Sequence, residues 1–192
     1  MSTSQPLKNK NDIKKLEKYF FEKKEYRNYL LVVMGLNTAL RISDLLQMKW
    51  SNVYNHEKKQ FYSHIYITEK KTGKHTTILI NNATKNALKE YRKYANQKTN
   101  SPYIFFSPRK PEQPLSRVQA YRIIQNAADK LGIDGTISCH SLRKTFGYQA
   151  WKEGAEPALL MSVFNHSSYH ITKRYLCIDQ DDKDKLFYKL NL

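Results

Sequence analysis

Two imidazoles, a guanidinium and a phenol crowd into one short stretch of this chain. His140 precedes Arg143 by three residues at the start of a predicted helix. His166 follows in Asn165-His166-Ser167-Ser168, and Tyr175 closes Thr172-Lys173-Arg174-Tyr175. On a helix, positions i and i+3 share a face, so His140 and Arg143 can address one anion together. The positive N-terminal end of that helix adds to the attraction. Arg presents a rigid fork of donors that fits two phosphate oxygens and stays charged at any working pH. Tyr has a free pKa of about 10 and becomes a nucleophile only with help in losing its proton. The set suits chemistry at a phosphate. Each member alone reads more simply: Tyr175 is one of 14 tyrosines and by itself would be a half-buried ring with its hydroxyl hydrogen-bonded.

Taken together, His-x-x-Arg, Asn-His-Ser-Ser and Thr-x-x-Tyr at this spacing resemble the catalytic box of the tyrosine recombinases, the phage-integrase family. The resemblance makes two demands upstream: a first Arg in a short helix, and a Lys in a β-hairpin. Arg41-Ile42-Ser43-Asp44-Leu45 and Lys70-Lys71-Thr72-Gly73-Lys74 meet both in the right order. It implies a site-specific DNA recombinase that integrates, excises or inverts DNA. In that family's chemistry Tyr175 would attack phosphorus and leave a covalent 3′-phosphotyrosine, so that strand exchange becomes two reversible transesterifications. Arg41 and Arg143 would hold the non-bridging oxygens, His140 would act as base, and His166 would hydrogen-bond a phosphate oxygen. The hairpin lysine would protonate the leaving 5′ oxygen. Its position before Thr-Gly selects Lys71, with Lys74 and Lys70 as alternatives. Because the ester stores the bond energy, the resemblance implies neither metal nor any other cofactor. The partners it implies are double-stranded DNA and further protomers in a tetrameric synapse.

Composition agrees with a polyanionic partner. The 192 residues carry 33 Lys and Arg against 17 Asp and Glu, a formal charge of +16, with 14 Tyr and 8 Phe interleaved among the basic residues. That pattern favours nucleic acid over a membrane surface. No apolar run approaches a membrane span and the N-terminus has no apolar signal core, which together with two cysteines predicts a cytoplasmic protein in a reducing setting. Cys139 is expected to be a small buried packing residue rather than a nucleophile.

The elements that must position these groups can be read in order. Residues 1 to 10 are polar and expected to be loose, 11 to 178 form the catalytic domain, and 179 to 192 make an amphipathic tail. Asn11-Asp12 can cap a first helix, and a second, from about Tyr26 to Leu40, is apolar enough to be the buried centre. It delivers Arg41 to its far end. Asp44, one turn on, can orient Arg41 or a neighbouring backbone group. Family members often carry Gly where Ala39 stands, a difference expected to affect packing more than chemistry. Phe61 to Thr68 and Thr76 to Ile80 read as a hairpin whose tip, Glu69 to His75, looks in isolation like an exposed charged turn. Asn81-Asn82 and Ser116 cap two further helices, with a Pro-containing loop from Ser107 to Leu115 between them. Arg117 and Arg122 on the second are candidate phosphate contacts, together with Lys70, Lys74 and Lys144. After the Ser141 to Lys152 helix, Gly154 and Pro157 lead to a short apolar helix. It ends at Asn165, a residue tolerant of the left-handed turn for which the family uses Gly. The expected class is mainly α with a small antiparallel β-hairpin, the tyrosine recombinase catalytic-domain fold.

Other readings have weaker support. A metal-dependent nuclease would want clustered carboxylates, and Glu153 and Glu156 follow helix turns instead; His166 and His170 have no third ligand nearby. A non-catalytic DNA-binding module on the same scaffold would be expected to have lost Tyr175 or an Arg. A type IB topoisomerase shares the chemistry, but the small size and the tail favour recombination. About 25 residues ahead of the first core helix cannot supply the separate N-terminal DNA-binding domain of most family members. The chain is therefore expected to be either a catalytic fragment or a minimal recombinase like the fimbrial phase-switch invertases.

Overall fold

The computed structural model describes residues 4–95 and 101–190. Its helices are α1 (Lys10–Glu22), α2 (Tyr26–Asn37), α3 (Ile42–Leu46), α4 (Asn82–Ala95), α5 (Arg117–Lys130), α6 (Cys139–Lys152), α7 (Pro157–Phe164), α8 (Tyr169–Leu176) and α9 (Asp179–Lys189). Three antiparallel two-stranded ladders complete the framework: β1 (Tyr54–Asn55) with β2 (Gln60–Phe61), β3 (His64–Thr68) with β4 (His75–Leu79), and β5 (Phe106–Ser107) with β6 (Lys110–Pro114). The architecture is mainly α with small antiparallel sheets, as expected. Two boundaries differ from expectation. Phe61 pairs with Tyr54 rather than extending the long hairpin, and part of the 107 to 115 loop is itself a ladder. A two-stranded ladder consists only of edges, so it tolerates the prolines that suggested a loop.

α2 is the buried centre. Leu30 through Leu36 are all shielded because α1, α4 and α6 pack around them. Where α2 meets α6, a Cβ on Gly35 would stand 2.6 Å from Leu142 Cδ1, so the bare glycine sets the interhelical approach. A second, smaller core of Tyr148, Leu160, Phe164, Leu176 and Ile178 seats α7 and α8 against α6. Gly147 is its contact point: a Cβ there would lie 2.6 Å from the side chains of Leu176 and Phe164. Helix α6 thus runs between two cores and is buried along most of its length, including the charged Arg143 and Lys144.

Local signals explain the turns that carry site residues. Ser138 accepts from His140 N at 3.2 Å while its own N–H donates to Ser141 Oγ at 3.0 Å, a reciprocal cap that starts α6 ahead of His140. Asn165 adopts φ 56°, ψ 49° at the end of α7, the left-handed turn expected of it. Ala39 is less expected. Its φ is +54°, so its occupation of a glycine-like position is a matter of backbone strain as well as packing, costing on the order of 1–2 kcal/mol.

The expectation of a loose start is corrected for residues 4 to 10. Gln5 N donates to Thr136 O at 3.2 Å, Leu7 N donates to Thr145 Oγ1 at 2.8 Å, and Leu7 is 2 % exposed. One buried leucine and paired backbone groups outweigh the polar composition that suggested disorder. Residues 1 to 3 lie outside the described residues. The cap of α1 is Asn9, whose side chain accepts from Asn11 N, rather than the Asn11-Asp12 pair. At the other end, α9 leans on the body through Asp181, paired with Lys8, and through Lys185, set 3.9 Å above the Trp151 ring. Beyond these contacts it presents Leu186, Phe187, Tyr188 and Leu190 to solvent. Among the described residues, no helix is long and apolar enough to cross a membrane.

Candidate active site

Arg143 is a buried charge, with 4 % of its surface exposed. Its Nη1 donates to the carbonyl of Ala39 and its Nη2 to that of Phe164 at 3.4 Å, and the guanidinium carbon sits 5.0 Å from the Phe164 ring centroid. The charge of the same guanidinium reaches the Tyr175 phenol. The strained turn after α2 and the C-terminus of α7 are therefore fastened to one side chain, with the phenol on α8 beside it. Tyr175 packs beside the stacked rings of Phe164 and His166, with centroids at 5.4 and 5.1 Å. His166 faces Phe164 and engages Thr172 Oγ1 through Nδ1 at 3.1 Å, which leaves Nε2 as the nitrogen for a ligand.

The titration of these groups follows from their surroundings. Burial pushes the Tyr175 phenol up, and the charge of Arg143 opposes that push without cancelling it. His140 and His166 are both pushed below the usual 6.5, first by desolvation and then by Arg143, with Arg41 adding to each. Cys139, buried and raised to about 12, is an inert packing thiol of the kind expected.

Arg41 stands at the N-cap of α3 with its side chain 18 % exposed, in an ion pair with Glu69. Glu69 is the residue that sequence reasoning missed. The turn in which it lies was expected to be exposed, yet Glu69 itself is 4 % exposed and accepts from Thr72 Oγ1 at 2.9 Å and Thr76 Oγ1 at 3.4 Å. Strand parity carried the signal: Ile65, Ile67 and Glu69 fall on one face of β3 and its extension, and that face turns inward. Burial alone would raise the Glu69 carboxyl. The hydrogen bonds from Thr72 and Arg41, with the charges of Arg41 and Arg143, outweigh burial and hold it below the usual range. Asp44 takes the second of its two expected roles, accepting from Lys70 N at 3.0 Å and so anchoring the hairpin tip.

A cleft of about 720 Å³ opens over this arrangement, lined by Arg41, Lys70, Lys71, Arg117 and His140 among others. Lys71 is exposed at its rim. Lys74 instead lines a separate groove between the hairpin and α7, and Arg122 is exposed on α5 away from both. The assignment of Lys144 to a DNA contact is corrected. It is 4 % exposed, its Nζ donates to Ser4 O at 2.6 Å, and the ammonium lies 5.2 Å from the Tyr175 ring centroid, so it ties the N-terminal segment to the site from within. Among the described residues no three His, Cys, Asp or Glu side chains gather as a metal-ligand set.

The model of the phage integrase family matches residues 8–181. The chain belongs to the phage integrase family. It is 40 % identical over 181 residues to the probable integrase/recombinase YoeC of Bacillus subtilis, a match covering 94 % of this chain and 93 % of that protein. The type 1 fimbriae regulatory protein FimE of Escherichia coli is 30 % identical over 152 residues, 78 % of this chain and 73 % of FimE. Among solved structures, the crystal structure of XerA recombinase superposes with a TM-score of 0.76 at 20 % identity, covering 100 % of this chain and 67 % of that one, which establishes the shared fold. This integrase-family chain is a site-specific recombinase of the tyrosine type.

The burial of Lys144 yields a test. Lys144→Met is expected to lower stability by ~1–3 kcal/mol, seen as a reduced Tm, and to leave the salt dependence of duplex binding unchanged. Arg117→Ala is expected to do the reverse, with Tm retained and the slope of log K against log salt shallower by about 0.9 in a duplex titration.

Proposed function

We propose that Tyr175 is the nucleophile and that Arg41, Lys71, His140, Arg143 and His166 form the machinery around it. The observation that carries this reading is the convergence of Arg143, His166 and Tyr175, all within electrostatic reach of Arg41, which in turn lines one cleft with Lys71 and His140. The substrate is duplex DNA, for which a charge of +16 supplies a general attraction. The Tyr175 oxygen attacks phosphorus, the bond from phosphorus to the 5′ oxygen breaks, and a 3′-phosphotyrosine remains. The phenol proton passes to His140, and Lys71 returns a proton to the departing 5′ oxygen. Attack by a second 5′ hydroxyl reverses every step and rejoins the strand.

The two arginines belong at the non-bridging oxygens, where negative charge builds in the transition state, an electrostatic contribution of ~3–4 kcal/mol per well-placed donor. His166 offers Nε2 to the same phosphate. No metal ion or other cofactor has a role in this reading. The apolar end of α9, with Phe187 75 % and Tyr188 88 % exposed, suits docking on a neighbouring protomer within a tetrameric synapse. The cytoplasm, where the DNA is, is the expected site of action.

A nicked suicide duplex carrying the recombination site, incubated with the protein in EDTA, is expected to give a covalent adduct on a denaturing gel. Tyr175→Phe should abolish it, and Arg41→Ala or Arg143→Ala should slow its formation by ~10²–10³-fold. DNA binding with no adduct from the unaltered chain would instead support a non-catalytic binding module. The pH profile carries a further expectation. Because both histidines are pushed below 6.5, they stay neutral as pH falls through that value, so the acid limb of the cleavage rate should lie below pH 6.5 in single-turnover measurements. A limb centred above 6.5 would contradict the use of neutral His140 as base.

A further inference from the structure

The proposed mechanism gives Glu69 no task, yet Glu69 holds the donor that the phosphate needs. Of the ion pairs among the described residues, the other five join surface groups, whereas the Arg41 and Glu69 side chains are 18 % and 6 % exposed. The Glu69 carboxylate lies within electrostatic reach of Arg143 as well, so it faces both guanidinium groups assigned to the phosphate. A carboxylate on a guanidinium edge presents two anionic oxygens, as a phosphodiester does. The two cannot share one Arg without like-charge repulsion in a sheltered site.

We propose that Glu69 is an internal surrogate for the scissile phosphate, an autoinhibitory carboxylate that occupies Arg41 until DNA displaces it. The proposal rests on the reading of Arg41 as a phosphate ligand. An Arg this sheltered needs a counter-charge when no DNA is present, because an unpaired buried charge is costly. Glu69 supplies it, and the incoming phosphate takes over the role, so Arg41 is never left uncompensated. The exchange also reaches the hairpin tip. Glu69 holds Thr72, the neighbour of Lys71, whereas Asp44 holds Lys70 N independently. Loss of the carboxylate contact releases the Thr72 side chain beside Lys71, while backbone bonds from Glu69 N to Lys74 O and from Gly73 N to Glu69 O keep the turn closed. Arrival of the phosphate and release of Thr72 beside the general acid are thereby linked in one step.

Binding of a short fluorescein-labelled duplex of mixed sequence, followed by anisotropy at fixed salt, tests this without requiring strand cleavage. Glu69→Gln keeps the shape of the side chain and one acceptor oxygen and removes its charge; it is expected to bind on the order of fivefold tighter. In an Arg41→Ala background the same change should have no effect. Thr72→Val, which alters no charge but removes one of the contacts holding Glu69, is expected to tighten binding by a smaller factor, and thermal unfolding would verify that each variant is folded. Binding by Glu69→Gln that is unchanged or weaker would overturn the proposal, as would tightening that persists undiminished without Arg41. Arg41→Ala alone binding as well as the unaltered chain would instead break the reading of Arg41 as a phosphate ligand, and the proposal with it.

Discussion

The Arg143 guanidinium lies where 4 % of the residue meets solvent; its donors are spent on two carbonyl groups from different parts of the chain, and its charge reaches the Tyr175 phenol. A planar fork can do this because its donors point in fixed, divergent directions; a lysine ammonium in the same place could not span the set. The turn at Ala39 tolerates its positive φ in part because its carbonyl is claimed, and α7 stops where it does with the Phe164 carbonyl satisfied. The Tyr175 helix then closes over the Phe164 ring, and Gly147 lets it come close. Placement of the Tyr175 phenol and packing of the second core are thus two results of one contact set.

A site built to attract a polyanion must remain folded when none is bound. The chain manages its excess positive charge here by two means. Glu69 and Asp44 bring carboxylates to Arg41 and to the Lys70 backbone. The two histidines resist protonation, since desolvation and the neighbouring arginines both disfavour a further proton. The same field acts on Tyr175, where it favours deprotonation of a phenol that burial has made a weaker acid.

How much of this was legible in the sequence depends on the physical origin of each feature. The six residues proposed for the reaction were singled out because their types and spacings match a chemically constrained pattern. The helices of the core were legible because apolar periodicity sets them. Asn165 was legible because few residues accept a left-handed turn. Glu69 and Lys144 were not, since a charged side chain reads as solvated unless the direction of its element is known. One lies on the inward parity of β3, and the other on a helix buried nearly all round. The N-terminal segment was misread for a related reason. Its composition is polar, but its backbone is held by Thr136 and Thr145, more than a hundred residues away in sequence, and no local pattern records such a pairing.

The most direct test of Arg143 as the joint between fold and chemistry is denaturant unfolding of Arg143→Lys beside the unaltered chain. The substitution keeps the charge and removes the fork, so at least one carbonyl loses its donor in a buried setting. Stability is expected to fall by ~1–3 kcal/mol at constant m, with strand cleavage lost at the same time. An unfolding midpoint equal to that of the unaltered chain, with cleavage alone impaired, would show that the scaffold is held elsewhere and that Arg143 serves the phosphate only.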